Sequence, residues 1–146
     1  MAKIKLIPIL AFVILGMSIA VFGYFRAVPG VKNKTENLPK IEIFPNIFDF
    51  GEIEFGKIVE HSFRVKNSGN EILEIKRVAT SCACTTAKIS KKEINPGEEA
   101  ELLVNYDTAA MGKGPHGRGK QERIIYVKSG DPLNPQVEIM IYADVK

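Results

Sequence analysis

Between Lys57 and Asn67 the sequence reads KIVEHSFRVKN, and two kinds of side chain alternate along it. One face carries Val59, His61, Phe63 and Val65, and the other carries mostly charged and polar side chains. An alternation with a period of two is typical of a β-strand with one face in the core and one in solvent. His61 is expected to sit at the edge of that core.

Short runs of the same kind fill the rest of the chain from Ile41 onward, and turn residues such as Asn67-Ser68-Gly69 and Pro96-Gly97 separate them. The sequence therefore predicts an all-β fold, an immunoglobulin-like antiparallel β-sandwich of about seven strands with no helix in the domain. The predicted strands are 41–44, 47–50, 57–67, 72–78, 100–106, 123–128 and 137–145.

The size and charge of the chain limit the possible functions. It has 146 residues, of which about one hundred follow the composition break near position 40, enough for one hydrophobic core. The formal net charge of +3 is small, and part of it comes from lysines beside the apolar N-terminus. No nucleic-acid partner is predicted from this charge.

Residues 1–26 are predicted to be a membrane anchor or a signal peptide. Leu6 to Phe25 contains no charged residue, and a transmembrane helix needs about 20 apolar residues. This pattern favours one N-terminal transmembrane helix, which makes the membrane a partner of the chain. The alternative is a secretory signal peptide cleaved after Ser18-Ile19-Ala20, which would release a secreted domain.

Residues 27–40 are predicted to be a linker to the domain at 41–146. Basic residues flank the apolar run on both sides, and a strict count would keep the domain in the cytoplasm. We nevertheless expect the domain on the extracytoplasmic side of a single-pass anchor, because a basic start followed by an apolar run is typical of an export signal.

Four local patterns, taken in order, resemble the bacterial domain-of-unknown-function family numbered 1573. They are Phe48-Asp49-Phe50-Gly51 followed by Gly56, then Asn67-Ser68-Gly69, then Ser81-Cys82-Ala83-Cys84-Thr85, and last Ile94-Asn95-Pro96-Gly97-Glu98. The resemblance covers residues 41–146. It implies an immunoglobulin-like sandwich similar to major-sperm-protein domains, in proteins that are mostly exported or membrane-tethered and have no established enzyme activity. This chain departs from the family's usual Cys-Gly-Cys at Ala83.

Cys82 and Cys84 are the only cysteines, and several interpretations of them stay open. On an extended backbone, residues two apart point to the same face, so the thiols would lie side by side. A disulfide between extended positions would be strained and easily reduced. The pair could instead bind copper or zinc, or serve in thiol redox chemistry. It could also simply pack in the core.

The loop at 108–121, together with Arg123 just after it, holds the remaining candidates. His116 and Met111 are weak candidates for additional metal ligands. Lys113, Arg118, Lys120 and Arg123 are weak candidates for contacts with a partner. Residues 114–120 match the spacing of a phosphate-binding loop, but Gln121 stands where that motif needs Ser or Thr, and a strand follows it. No nucleotide partner is therefore predicted.

The sequence contains no recognisable set of catalytic residues. We therefore expect no enzyme and no obligatory cofactor. The leading expectation is a membrane-tethered module that binds an unknown protein through sheet edges or the 108–121 loop. The alternative is the handling of a soft metal or of thiols by Cys82 and Cys84.

Overall fold

The computed structural model of the chain describes residues 37–146 with the exception of Lys113, Pro115 and His116. The predicted anchor or signal peptide at 1–26 and most of the predicted linker lie outside the described residues. Within the described part, no helix has the length and apolar character needed to span a bilayer.

In the described residues, nine strands form two sheets that pack face to face. The four-stranded sheet has the order β1-β3-β7-β5, and the five-stranded sheet has the order β2-β9-β8-β4-β6. The predicted all-β sandwich is thus confirmed. The strands are β1 (Ile41–Ile43), β2 (Ile47–Ile53), β3 (Ile58–Asn67), β4 (Leu73–Thr80), β5 (Thr85–Ile89), β6 (Glu93–Ile94), β7 (Glu99–Asp107), β8 (Gly119–Ser129) and β9 (Gln136–Val145).

The core lies between the sheets and is built from the alternating positions of the long strands. Phe63 and Val65 of β3 are buried, while Ser62, Arg64 and Lys66, which alternate with them, are exposed. The inward positions of β7, β8 and β9 add aliphatic side chains and Tyr106, and β1, β4 and β6 contribute isoleucine and leucine. Because β3 and β7 pair along their whole lengths, the two predicted alternations lie side by side in one sheet.

The expectation of a wholly antiparallel sandwich is wrong at β2. This strand pairs in parallel with β9, from Ile47 beside Met140 to Ile53 beside Val145. The cause is the Phe44-Pro45-Asn46 connection, which carries the chain from the four-stranded sheet to the five-stranded one. Since β1 and β2 belong to different sheets, β2 does not return beside β1 as a hairpin would.

Two strands were not predicted, and two others are longer than predicted: β2 continues past Phe50 to Ile53, and β8 starts earlier. β5 and β6 follow the cysteine segment, and β8 begins at Gly119, inside the predicted loop. β6 has only two residues, and β5 is five residues long, with only Thr85 of its inward positions fully buried. Such short segments carry little periodic signal, and their pairing with β7 and β4 is what defines them.

A buried asparagine at the end of β3 organises one end of the sandwich. The Asn67 side-chain amide donates hydrogen bonds to the carbonyl oxygens of Glu71 (2.7 Å) and Ile94 (2.9 Å). Its Oδ1 accepts from the backbone N–H groups of Gly69 (3.0 Å) and Lys40 (3.3 Å). The Asn67-Ser68-Gly69 turn is therefore tied to the segment before β1 and to β6.

Candidate functional site

The segment with the two cysteines connects the two sheets. β4 ends at Thr80 in the five-stranded sheet, and β5 begins at Thr85 in the four-stranded sheet. Ser81 continues the pairing with β8, because its N–H donates to the Ile124 carbonyl (2.9 Å) and its Oγ accepts from the Ile124 N–H (3.0 Å). The Thr80 hydroxyl lies 2.9 Å from the Thr85 carbonyl oxygen, which closes the turn.

Cys82 and Cys84 are joined by a disulfide, and their Cα atoms lie 5.3 Å apart. This separation falls within the ordinary range for disulfides. The expectation of an extended backbone here is wrong, because residues 81–84 form bends and turns as the chain crosses between the sheets. The strain argued from an extended geometry therefore does not apply.

The two sulfur-bearing residues differ in their exposure. Cys84 is 2% exposed and belongs to the core, whereas Cys82 is only partly buried at its border. The Thr85 hydroxyl lies 3.5 Å from Cys82 Sγ and 3.8 Å from Cys84 Sγ. Of the two residues, Cys82 is therefore the more exposed to solvent.

Arg123 of β8 lies directly against the buried sulfur. Its Nε donates a hydrogen bond to Cys84 Sγ at 3.0 Å. The rest of the guanidinium donates to Gln121 Oε1 (2.5 Å) and to the Glu122 carbonyl oxygen (2.7 Å). The sequence placed Arg123 among the partner contacts of the basic loop, but the structure directs its guanidinium towards the disulfide.

Tyr106 of β7 forms the inner wall beside this arginine. The Arg123 guanidinium carbon lies 5.6 Å from the centroid of the Tyr106 ring, within the range of a cation–π contact. Burial raises the pKa of the Tyr106 hydroxyl, and the positive charge of Arg123, which lowers it, offsets this only in part. The wall of the site is therefore a neutral phenol.

The other predicted site residues do not gather at the disulfide. Lys113 and His116 lie outside the described residues. Met111 and Lys120 are exposed, and the Arg118 guanidinium lies over the Phe55 ring at 4.7 Å. Among the described residues, no group of three or more His, Cys, Asp or Glu side chains is arranged to hold a metal ion. In the disulfide state, neither sulfur is a thiolate ligand.

A second feature lies on the solvent side of the five-stranded sheet. Ile47, Met140 and Ile124 are direct neighbours on β2, β9 and β8, so they form a lateral apolar row. Aromatic side chains lie beside this row, and the Tyr142 hydroxyl donates to Met140 Sδ at 3.4 Å. We call this surface the aromatic face; it consists of Ile47, Ala79, Ile124, Tyr126, Met140 and Tyr142.

Sequence reasoning missed the aromatic face because it followed only the inward positions of each strand. The signal was present in the alternate positions of 124–126 and 140–142, which carry apolar and aromatic residues where a solvent face usually carries polar ones. The alternate positions do not show, however, that β2 pairs with β9 in parallel. That pairing brings Ile47 next to Met140.

Several solved structures share this fold at low sequence identity. A protein of unknown function from Porphyromonas gingivalis W83 matches with a TM-score of 0.67 and 22% identity, over 81% of this chain and 51% of that one. The ASH/PapD-like domain 7 of human CEP192 matches with a TM-score of 0.55 and 13% identity, over 75% and 87%. SSP-19, an MSP-domain protein like family member in Caenorhabditis elegans, matches with a TM-score of 0.49 and 12% identity, over 70% and 97%.

This chain therefore spans about half the length of the Porphyromonas protein. A search of curated protein sequences finds no match to it. The family model described as "Protein of unknown function (DUF1573)" matches residues 41–145. The four ordered patterns around Gly51, Gly69, Cys82 and Gly97 all fall within this match, which confirms the resemblance drawn from them. The chain accordingly belongs to the DUF1573 family.

Proposed function

We propose that this chain is a membrane-tethered, extracytoplasmic module that binds another protein through the aromatic face. Two features of the protein support the tether and the compartment. The uncharged run from Leu6 to Phe25 is long enough to anchor the chain in a bilayer. The Cys82–Cys84 disulfide fits an oxidising compartment, because cytosolic thiols are usually kept reduced.

The observation that carries the binding proposal is the lateral row of Ile47, Met140 and Ile124. The solvent face of an antiparallel sheet usually carries polar side chains. Here three neighbouring strands each place an aliphatic side chain or a methionine at the same level. A contiguous apolar surface of this kind, with tyrosine and methionine enriched, is typical of protein interfaces.

Charged side chains surround the aromatic face in two groups. Glu122 lies beside Tyr142, and Glu138 beside Tyr126, which gives an acidic border along β8 and β9. A shallow groove next to Tyr126 is lined by Arg77, Ala79, Lys128 and Gln136, and its two cations, Arg77 of β4 and Lys128 of β8, give a basic border. An apolar centre with a polar rim of both signs suits a protein partner better than a polyanion.

Site-specific photo-crosslinking in the cells that produce the protein tests this proposal. A benzophenone amino acid is placed at Tyr126 on the aromatic face, or at Ser62 on the exposed side of β3 as the matched control. We expect a discrete protein adduct from position 126 and none from position 62. In the Ile124→Glu background the adduct from position 126 should disappear, because a charge then lies in the middle of the apolar row.

Equal adducts from positions 126 and 62 would contradict the aromatic face, as would an adduct that survives Ile124→Glu in a folded protein. The compartment is tested separately by adding protease to cells whose outer envelope is permeabilised while the cytoplasmic membrane stays intact. Digestion of the domain without lysis is expected for an extracytoplasmic module. Protection until the cytoplasmic membrane is broken would place the domain in the cytoplasm.

A further inference from the structure

We propose that the Cys82–Cys84 disulfide is a thiol–disulfide exchange site in which Cys82 Sγ is the attacked atom and Cys84 leaves as a thiolate held by Arg123. The co-reactant is a dithiol, in a protein or in a small molecule. This proposal does not depend on the aromatic face. It rests on the asymmetry of the two sulfurs and on the donors around one of them.

Access decides which sulfur is attacked. A thiolate must approach one sulfur along the line of the S–S bond, opposite the departing sulfur. Cys84 is 2% exposed and sits among core residues, so an incoming group cannot approach it without opening the sandwich. Cys82 lies at the border of the core and is only partly covered. Attack at Cys82 Sγ is therefore the accessible route.

The donors around the disulfide favour departure of Cys84. A leaving thiol departs faster when its pKa is lower, and a neighbouring guanidinium lowers the pKa of a thiol. Arg123 Nε–H points at Cys84 Sγ from 3.0 Å. As negative charge develops on that sulfur, this contact becomes a charge-assisted hydrogen bond. The Thr85 hydroxyl, 3.8 Å away, is a second potential donor.

The arginine is held in place by groups that do not depend on the sulfur. Gln121 is buried, and its Oε1 accepts from Arg123 while its Nε2 donates to the Arg118 carbonyl oxygen at 2.6 Å. The Glu122 carbonyl oxygen accepts from the same guanidinium. The guanidinium is thus oriented before the thiolate forms, so little reorganisation accompanies the reaction.

The backbone of the turn is also fixed without the disulfide. The Ser81 and Ile124 main chains stay paired, and the Asp107 N–H donates to the Cys84 carbonyl oxygen at 2.9 Å. A disulfide that closes so short a loop restricts the unfolded chain very little compared with one that closes a long loop. The disulfide therefore contributes little to the stability of the fold, and the turn stays anchored by its backbone hydrogen bonds when the disulfide is broken.

The reaction balances as a two-electron exchange. The thiolate of the partner dithiol forms a bond to Cys82 Sγ, the Cys82–Cys84 bond breaks, and Cys84 carries the electron pair as a thiolate. The second thiol of the partner, deprotonated, then attacks the partner sulfur of the mixed disulfide and releases Cys82 as a thiolate. The partner is oxidised to a disulfide, and this protein is reduced to the dithiol.

The first test needs no variant. The full chain in detergent is mixed with glutathione, and the reaction is quenched with acid at short times. The protein is then cleaved between Cys82 and Cys84, and mass spectrometry of the peptides shows which cysteine carries glutathione. We expect the glutathione adduct on Cys82 and the free thiol on Cys84. An adduct mainly on Cys84 would overturn the proposal, as would a disulfide that does not react while the protein is folded.

The second test measures the role of Arg123 with dithiothreitol as the dithiol. Arg123→Gln should slow reduction of the disulfide at least tenfold and raise the pKa of the Cys84 thiol in the reduced protein, read from thiolate absorbance against pH. Arg123→Lys should restore part of both effects because it keeps the charge. Arg64→Gln, which removes an exposed arginine of β3, is the matched control and should change neither.

Thermal melting of each variant shows whether it is folded. Unchanged rates and an unchanged thiol pKa in a folded Arg123→Gln variant would overturn the role of Arg123. A faster reduction in that variant would do the same, since it would indicate that the arginine protects the disulfide instead of activating it.

Discussion

Asp131 Oδ2 accepts a hydrogen bond from the Ile41 backbone N–H at 3.0 Å, which joins the turn before β9 to the first strand across 90 residues of sequence. The same carboxylate accepts from the N–H groups of Leu133 (2.8 Å) and Asn134 (3.1 Å). Burial by itself raises the pKa of Asp131, but these hydrogen bonds outweigh burial, and the pKa of the carboxyl lies below its ordinary value.

Because the folded-state pKa of Asp131 is depressed, the ionised form stabilises the fold. This contribution is complete above the unfolded pKa of about 3.9 and is lost as the pH falls through the lower folded pKa. Asp131→Asn should lower the free energy of unfolding by about 1–3 kcal/mol at neutral pH. Urea unfolding from pH 7 to pH 2 should show the gap to wild type shrinking in acid. A gap independent of pH, or a similar loss in the exposed control Glu60→Gln, would contradict this role.

Asn67→Ala should be among the most destabilising single substitutions in the domain. It removes both donors to the Glu71 and Ile94 carbonyl oxygens and the acceptor of the Gly69 N–H. Each buried group left unpaired costs about 1–3 kcal/mol. Asn46→Ala, at an exposed asparagine, is the control and should stay near wild type in chemical unfolding. Equal stabilities of the two variants would show that the Asn67 junction is dispensable.

Gly69→Ala tests why the turn after β3 needs a glycine. A Cβ at Gly69 would overlap the backbone of Leu38, Pro39 and Lys40, which cannot move aside like a flexible side chain. We expect a clear fall in the melting temperature and faster proteolysis near residue 38. Gly114→Ala, where a Cβ meets open space, is the matched control. A melting temperature unchanged in both variants would indicate that the segment before β1 is not packed on the turn.

We expect His61 to cause a second pH dependence of the stability, near neutral pH. Its ring stacks on Phe48 with centroids 3.5 Å apart and meets the edge of Phe63. Burial lowers the pKa of His61, so its neutral form is the stabilising one. Stability is full above the unfolded pKa of about 6.5 and falls as the pH drops below it towards the folded pKa.

His61→Phe keeps a ring in the stack and removes the titration. The loss of stability between pH 7 and pH 5 should therefore be smaller in this variant than in wild type, as measured by melting temperature. His116→Gln, which removes the other histidine of the sequence, should keep the wild-type slope. A His61→Phe variant that retains the full slope would assign the titration to another group.

The Cys82→Ser, Cys84→Ser double variant should remain folded. The closed loop contains only three residues, for which the chain-entropy model gives a stabilisation of roughly 1.5 kcal/mol. We expect a loss of that order in urea unfolding, with far-UV circular dichroism unchanged. Unfolding of the variant at room temperature would show instead that the disulfide is an essential structural bond, which would weaken the case for reversible reduction.

The sequence predicted the sandwich because its long strands alternate over many residues. Three alternating segments each identify an inward face: Val59–Val65, Ala100–Tyr106 and Val137–Val145. Each of these segments lies in a core strand of the structure. It predicted neither β5 nor β6, since β6 has only two residues and two of the three inward positions of β5 are Thr85 and Ala87, which give a weak apolar pattern. It gave the wrong direction for β2 because a local pattern does not encode which distant strand lies alongside.

The pairing of Cys82 with Cys84 was one of several interpretations that the spacing allowed, and the sequence alone could not choose among them. The contact of Arg123 with Cys84 could not be read from the chain at all, because it depends on β8 lying beside the end of β4. The alternation of side chains thus determined which residues face inward. The tertiary structure decided which of those inward residues meet, because pairings between distant strands are fixed only when both sheets pack on a common core.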